Sequence, residues 1–403
     1  MAQILEVLHI SPSYKPAYGY GGTTVSISSL CEALQRNRGN VTVFTTTANG
    51  KTELRVTRKV GVLVEGVPVH YFRRITKDHL HFSPSLYVQL YRHIKKRKQD
   101  CTFMVIHIHS WWNLVSMISC SIGLLLKVPV VVTPRGMLTN YTFGHKNEYI
   151  KRLTHTIVGK RLLEATHIHA TSDKEKHDIL EFLQPKGITV IPNLLADFVR
   201  VKESTIPVCP FKMIFLSRID KKKGLEVLFE AVAKLKLKYH LTIAGTGPKP
   251  YIFSLKALAQ VLGIGDSISW IGQVDREEKY TVLSSHHLFV LASHNENFGN
   301  AVLESLSVGT PVLITEQVGL SDYIIQSGLG WVCKQDPYDV ATHITNISAA
   351  RDRLGEIKNK AAAQVRADFN THALVNRYQT YYRNCSLSNK KQSQIAKNTK
   401  VKT

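Results

Sequence analysis

Leu288-Phe-Val-Leu-Ala-Ser-His-Asn-Glu296-Asn-Phe-Gly-Asn300-Ala-Val-Leu-Glu304 is the stretch from which the fold is read. Four consecutive apolar residues, Leu288–Leu291, have the look of a strand buried on both faces, as in a parallel sheet. A polar loop follows, and from Asn300 the apolar residues return at helical spacing. A strand that ends in a loop and opens a helix is half of a βαβ unit. The loop also carries chemistry. Glu296 lies before the helix and Glu304 inside it, while Gly299 and Asn300 offer backbone N–H groups to an anion at the helix N-terminus. The bland alternative is an acid complementing the helix dipole, plus one exposed helical glutamate.

The same alternation extends outward in both directions. Strands are expected at Met213–Ser217, His240–Ala244, Ile268–Ile271 and Val312–Ile314, with helices between them. Upstream, apolar runs recur at Ile4–Ile10, Val41–Thr45, Val67–Phe72, Met104–His109, Val128–Thr133, His167–Ala170 and Thr189–Pro192. Between the two series the pattern breaks into polar, proline-containing sequence at 198–210, which reads as a linker. The expected class is therefore α/β, with two doubly wound Rossmann-like domains. The expected boundaries are 1–205, 206–365, a returning helix at 366–385 and a basic disordered tail at 386–403.

Three other loops stand at the carboxyl ends of expected strands, where open α/β sheets bind ligands. After the first strand, Gly21-Gly22 brings side-chain-free backbone to a helix N-terminus, a weak phosphate signal when taken alone. Arg218-Ile-Asp-Lys-Lys-Lys223-Gly224 sets an arginine and a lysine where they can clamp a diphosphate, although a solvated lysine turn would look similar. Ala244-Gly245-Thr-Gly247-Pro248 is a second small-residue turn on the same edge.

Composition narrows the class further. Of 403 residues, 44% are hydrophobic, enough for two cores. The formal charge is +22, with +13 of it in residues 1–200 and five lysines without an acid in 384–403. Such an excess attracts nucleic acid, anionic lipid or an anionic substrate without choosing among them. Six scattered cysteines without a CxxC pair read as reduced core thiols, not as zinc ligands. The N-terminus lacks a signal-peptide pattern, and Lys127 with Pro129 interrupts the most apolar stretch, so a cytoplasmic location without a membrane span is expected.

With ENFGNAVLE, SRIDKKKG upstream and AGTGP between them, the chain resembles the retaining family 4 glycosyltransferases of the GT-B fold. IHIHSWW (106–112), TPRGML (133–138), ATSDKEK (170–176), VIPNLL (190–195) and GTPVL (309–313) follow in the family's order, and the resemblance spans about residues 3–380. It implies two domains facing across a cleft and a nucleotide-sugar donor. Arg218 and Lys223 match the basic pair on the donor diphosphate, and Gly22, beside Gly21, matches the first-loop glycine. Glu296 matches the carboxylate on donor-sugar hydroxyls, Phe298-Gly299-Asn300 the backbone contacts, and Glu304 the ribose ligand; Gly245 and Gly247 are counted with the donor site. His109 matches the active-site histidine of the first domain. The stretch His107-Ile-His109 alternates faces, so only one of the two histidines need be buried, and the other is expected to face the cleft. Arg135 is a candidate for an acceptor or donor phosphate.

The expectation is therefore retaining transfer of a sugar onto a saccharide acceptor, lipid-linked or free, in surface polysaccharide biosynthesis. No cofactor and no metal are expected, since no Asp-x-Asp pair lies near these motifs. An anionic membrane surface, met through Arg92, Lys95, Lys96, Arg97 and Lys98, is a further expected partner; nucleic acid is not. Two rivals remain: a nucleotide-sugar epimerase on the same fold, which the Arg218, Lys223 and Glu-x7-Glu pattern disfavours, and a basic nucleic-acid-binding protein, for which no module is recognisable.

Overall fold

The computed structural model describes residues 5–56, 61–100, 103–144, 148–195, 207–275 and 278–400. It divides into two compact units, Met1–Leu194 with Thr371–Thr403, and Leu195–Asn370. The expected linker falls largely on 196–206, outside the described residues.

The first unit is built on an eight-stranded sheet. Its strands are β1 (Leu5–Ser11), β2 (Asn40–Thr46), β5 (Val62–Val64), β6 (Val67–Phe72), β7 (Phe103–His109), β8 (Val130–Thr133), β9 (His167–Ala170) and β10 (Gly187–Val190), with a small hairpin of β3 (Ala48–Asn49) and β4 (Thr52–Glu53) beside it. The order is β10-β9-β8-β7-β1-β2-β6-β5, parallel except for the edge strand β5. Every residue of β7 is buried, because helices cover both faces of this central strand. Leu8, Ile10, Ile106, Ile108, Val130, Val132, Ile168 and Trp111 form one continuous core. Chain order reverses between β1 and β7, which makes their carboxyl ends the switch point of this sheet.

In the second unit, β11 (Phe211–Leu216), β12 (Tyr239–Ala244), β13 (Ile268–Gly272), β14 (Leu288–Leu291), β15 (Val312–Thr315) and β16 (Gly330–Cys333) are ordered β13-β12-β11-β14-β15-β16, all parallel. In chain order this is the 3-2-1-4-5-6 arrangement of dinucleotide-binding sheets, with its switch point between β11 and β14. β16, β5 and the hairpin are too short or too exposed to have shown in the sequence pattern.

The last helix, Thr371–Lys400, belongs to the first unit, although it follows the second in sequence. It runs on through the stretch whose composition reads as a disordered tail. No glycine or proline interrupts it, and lysine, glutamine and alanine are good helix formers. Among the described residues no helix is long and apolar enough to cross a membrane.

Candidate active site

The second unit gathers its charged side chains at the switch point. Arg218 stands two residues beyond β11, exposed and without a hydrogen bond or ion pair among the described residues. Asp220 then caps a single turn, accepting the Lys222 N–H at 3.0 Å, and Gly224 closes that turn in the left-handed conformation. A Cβ at Gly224 would stand 1.9 Å from the Ala292 carbonyl oxygen, so only glycine lets this turn press against the end of β14. That contact brings Lys223 to Glu296, and the two form an ion pair. Burial works to raise the Glu296 pKa, but the charges of Lys223, Lys222 and Arg218 outweigh it and hold the carboxyl below its ordinary value. Burial pulls the Lys222 ammonium down in turn. Three cations around one carboxylate leave positive charge for a ligand to neutralise.

The loop beyond β14 is fixed by backbone bonds. Glu296 N–H donates to Gln317 O at 3.0 Å, and Gly319 N–H donates to Glu296 O at 2.8 Å. Gly299, with φ 95°, caps helix Asn300–Ser307, and Phe298 is buried under the loop. The side-chain oxygens Ser293 Oγ and Asn295 Oδ1 are buried beside Glu296 without a partner among the described residues. Glu304 pairs with Lys279 at 2.7 Å, a lysine that no motif pointed to. Gly245 and Gly247 have a packing duty. Added Cβ atoms would stand 1.9 Å from Ser217 O and 2.0 Å from Ile219 O, so these glycines let the loop after β12 lie against the Arg218 loop.

In the first unit, Gly21 has φ 68° and precedes helix Gly22–Arg36 with no side-chain cap, leaving backbone at the helix start beside the end of β1. His109 ends β7. The expectation that one of His107 and His109 faces outward is corrected here: two residues apart on one strand they share a face, and both are 0% exposed. Helices cover both faces of the strand, and the terminal helix adds Tyr382, whose O–H lies 2.8 Å from His107 Nδ1. His9 on β1 reaches His109, Nδ1 to Nε2, at 2.9 Å. Thr133 Oγ1 lies 2.6 Å from His107 Nε2 and 2.7 Å from His169 Nδ1, and His169 Nε2 lies 2.8 Å from Ile191 O.

These distances fix the protons. His169 must donate from Nε2 to the carbonyl, so its Nδ1 accepts from the Thr133 hydroxyl. That hydroxyl then accepts from His107 Nε2, and His107 Nδ1 accepts from Tyr382. All four histidines are held neutral. Burial is the main cause, with the Arg135 charge adding to it, and His9 and His169 are lowered to about 3, His107 and His109 well below their ordinary value.

Ring nitrogens of His9, His107 and His109 lie within 4.8 Å of one another, the spacing of a metal-ligand trio. The donor set does not fit a cation. Both nitrogens of His107 are already in hydrogen bonds, the His9–His109 pair shares a proton, and the Arg135 guanidinium stands beside them.

Residues 20–195 match the family model described as "Glycosyltransferase Family 4", and residues 199–364 match "Glycosyl transferases group 1". The chain belongs to glycosyltransferase family 4. It is 27% identical over 345 residues to the D-inositol 3-phosphate glycosyltransferase of an Arthrobacter species, covering 80% of each chain. It is 28% identical over 179 residues to a putative colanic acid biosynthesis glycosyltransferase of Salmonella typhimurium, covering 42% of this chain and 44% of the relative. Its fold matches the sucrose-phosphate synthase of Thermosynechococcus elongatus with a TM-score of 0.75 at 21% identity, covering 94% and 98% of the two chains.

This glycosyltransferase thus has the GT-B fold, uses a nucleotide-sugar donor and belongs to a retaining family. Its second unit brings together Arg218, Lys223 and Glu296 as the motifs implied, and places Glu304 on the following helix. Motif reading missed His9, His169 and Tyr382. Two further residues sat unnoticed inside quoted motifs: Glu175 in ATSDKEK and Asn193 in VIPNLL. The buried carboxylate of Glu175 accepts the N–H groups of Gly136 and Thr171, at 2.8 and 2.7 Å.

Proposed function

We propose that the enzyme transfers its sugar with retention onto a saccharide acceptor, lipid-linked during assembly of a surface polysaccharide. The observation that carries this reading is the Lys223–Glu296 pair, surrounded by Lys222 and Arg218 at the switch point. Arg218 and Lys223 take the charge of the departing diphosphate, helped by the N–H groups of Gly299 and Asn300. Glu296 orients the sugar, and Glu304 takes the ribose. Because fixed cations stand where the leaving charge develops, turnover is expected to survive EDTA. The Salmonella relative's name supports the polysaccharide role.

Attachment to an anionic membrane is supported by Arg92, Lys95, Lys96 and Lys98, all exposed on helix Pro84–Asp100. Arg97 contributes less, because its Nε donates to the buried Glu6 carboxylate at 2.8 Å.

The test is a screen of UDP-, GDP- and ADP-sugars for thermal stabilisation, followed by transfer to lipid-linked oligosaccharides with the product anomer read by NMR. One donor stabilising the protein and giving a retained anomer supports the reading. An inverted anomer, or a free sugar as the only product, overturns it.

A further inference from the structure

Two adjacent strand ends in the first unit turn on residues that are not glycine yet hold a left-handed backbone: Ser110 after β7, with φ 69°, and Arg135 after β8, with φ 56°. The Ser110 N–H donates to Thr133 O at 2.9 Å and locks the two ends together. Strain of this kind persists where surrounding structure enforces it, and it gathers at binding sites.

Arg135 is half-buried. Its Nη1 reaches Asn193 Oδ1 at 3.3 Å and its Nη2 reaches His109 Nδ1 at 3.4 Å, both long for hydrogen bonds. Its Nε is buried with no partner, and no carboxylate among the described residues lies within ion-pair distance. Glu175, whose charge it feels, is occupied by Gly136 and Thr171. A guanidinium with a buried, unpartnered donor and no carboxylate at ion-pair distance is arranged for an anion from outside.

The histidines behind it set its orientation. A guanidinium can only donate, so His109 Nδ1 is an acceptor and the His109 proton sits on Nε2. That proton goes to His9 Nδ1. His9 thereby selects the His109 tautomer that can hold Arg135.

We propose that Arg135 is an oxyanion subsite of the first unit, taking a phosphate or carboxylate carried by the acceptor, with His109 and His9 as positioning residues acting through it. The planar fork of the guanidinium suits either group. Only the identity of the carrier rests on the function proposed above; anion binding is read without turnover, so the two stand or fall separately.

Thermal stabilisation of the full chain is measured with inorganic phosphate and with glucuronate, against chloride at equal ionic strength. Saturable stabilisation is expected from at least one of them, and which one identifies the chemical source. It should persist in the Arg218→Ala, Lys223→Ala double variant and weaken at least about ten-fold in Arg135→Gln, as for a lost charge-assisted pair. His9→Leu should weaken it too, and His9→Asn, which keeps an acceptor at the Nδ1 position, should restore it. Should His9→Leu fail to fold, ring nitrogen shifts of His109 in the wild type and in His9→Asn decide the positioning role: a proton on Nε2 supports it and one on Nδ1 overturns it. Stabilisation by neither anion, wild-type binding by Arg135→Gln, or loss of binding in the double variant alone overturns the subsite.

Discussion

The carboxyl edges of the two sheets solve the same problem in opposite ways. In the second unit the switch point is charged: Lys223 and Glu296 form a part-buried ion pair, and the charges of Lys222 and Arg218 act on the same carboxylate. In the first unit it is neutral and dry, with four buried histidines handing protons to a threonine, a carbonyl and one another behind a single guanidinium. Charge suits the diphosphate uptake and release proposed for this edge. A network of neutral donors and acceptors suits a rigid wall, because every proton has one place to be.

The largest expected effect is on acid stability. Below about pH 6.5 the unfolded chain protonates His9, His107, His109 and His169, whereas the folded chain refuses those protons until far lower pH, about 3 for His9 and His169. The unfolded state then binds more protons, so stability falls as pH falls, by roughly 1 kcal/mol per pH unit for each histidine. The second unit carries two such groups, His286 and His287, both lowered to about 4 by burial. Fluorescence of Trp111 and Trp112 should therefore change at a higher pH than that of Trp270 and Trp331, read in variants keeping one pair at a time. Equal midpoints would erase the contrast between the units.

Next in size is catalysis. Arg218→Ala and Lys223→Ala should each lower turnover about 10²–10³-fold with the fold intact, since under the proposed function each removes a fixed charge from the leaving group. Near-normal turnover in the double variant would show that the charged edge is not the donor site.

A smaller change probes the neutral edge. Tyr382→Phe removes the donor to His107 Nδ1 and leaves a buried acceptor unsatisfied, which should cost about 1–3 kcal/mol in urea unfolding. An unchanged midpoint would mean that the terminal helix does not close the network.

Smallest is Lys279→Ala. Its pair with Glu304 is part-buried yet reached by solvent, so the loss of stability should be about 1 kcal/mol, at the upper end for solvent-screened pairs, with any kinetic change confined to the donor KM. A fall in kcat would assign Lys279 a part in the chemistry.

What the sequence determined by itself is the alternation of strands and helices, the division into two sheets and most of the charged edge. Arg218 to Gly224 and Ser293 to Glu304 are short local segments whose residues meet because each follows a strand of one sheet, and a strand's carboxyl end can be read from apolar runs alone. Tertiary structure alone decided the rest. His9, His107, Thr133, His169 and Tyr382 come from four strands and a helix spread over more than 370 residues, and no local pattern records which of them touch. The alternation along β7 predicted two faces of different character, but a central parallel strand has both faces covered, and that is set by the helices packed against it. The glycines at 224, 245 and 247 carry the same lesson. Their composition marks a loop, whereas the need for glycine comes from carbonyl oxygens about 2 Å from where a Cβ would stand, contributed by neighbouring strand ends.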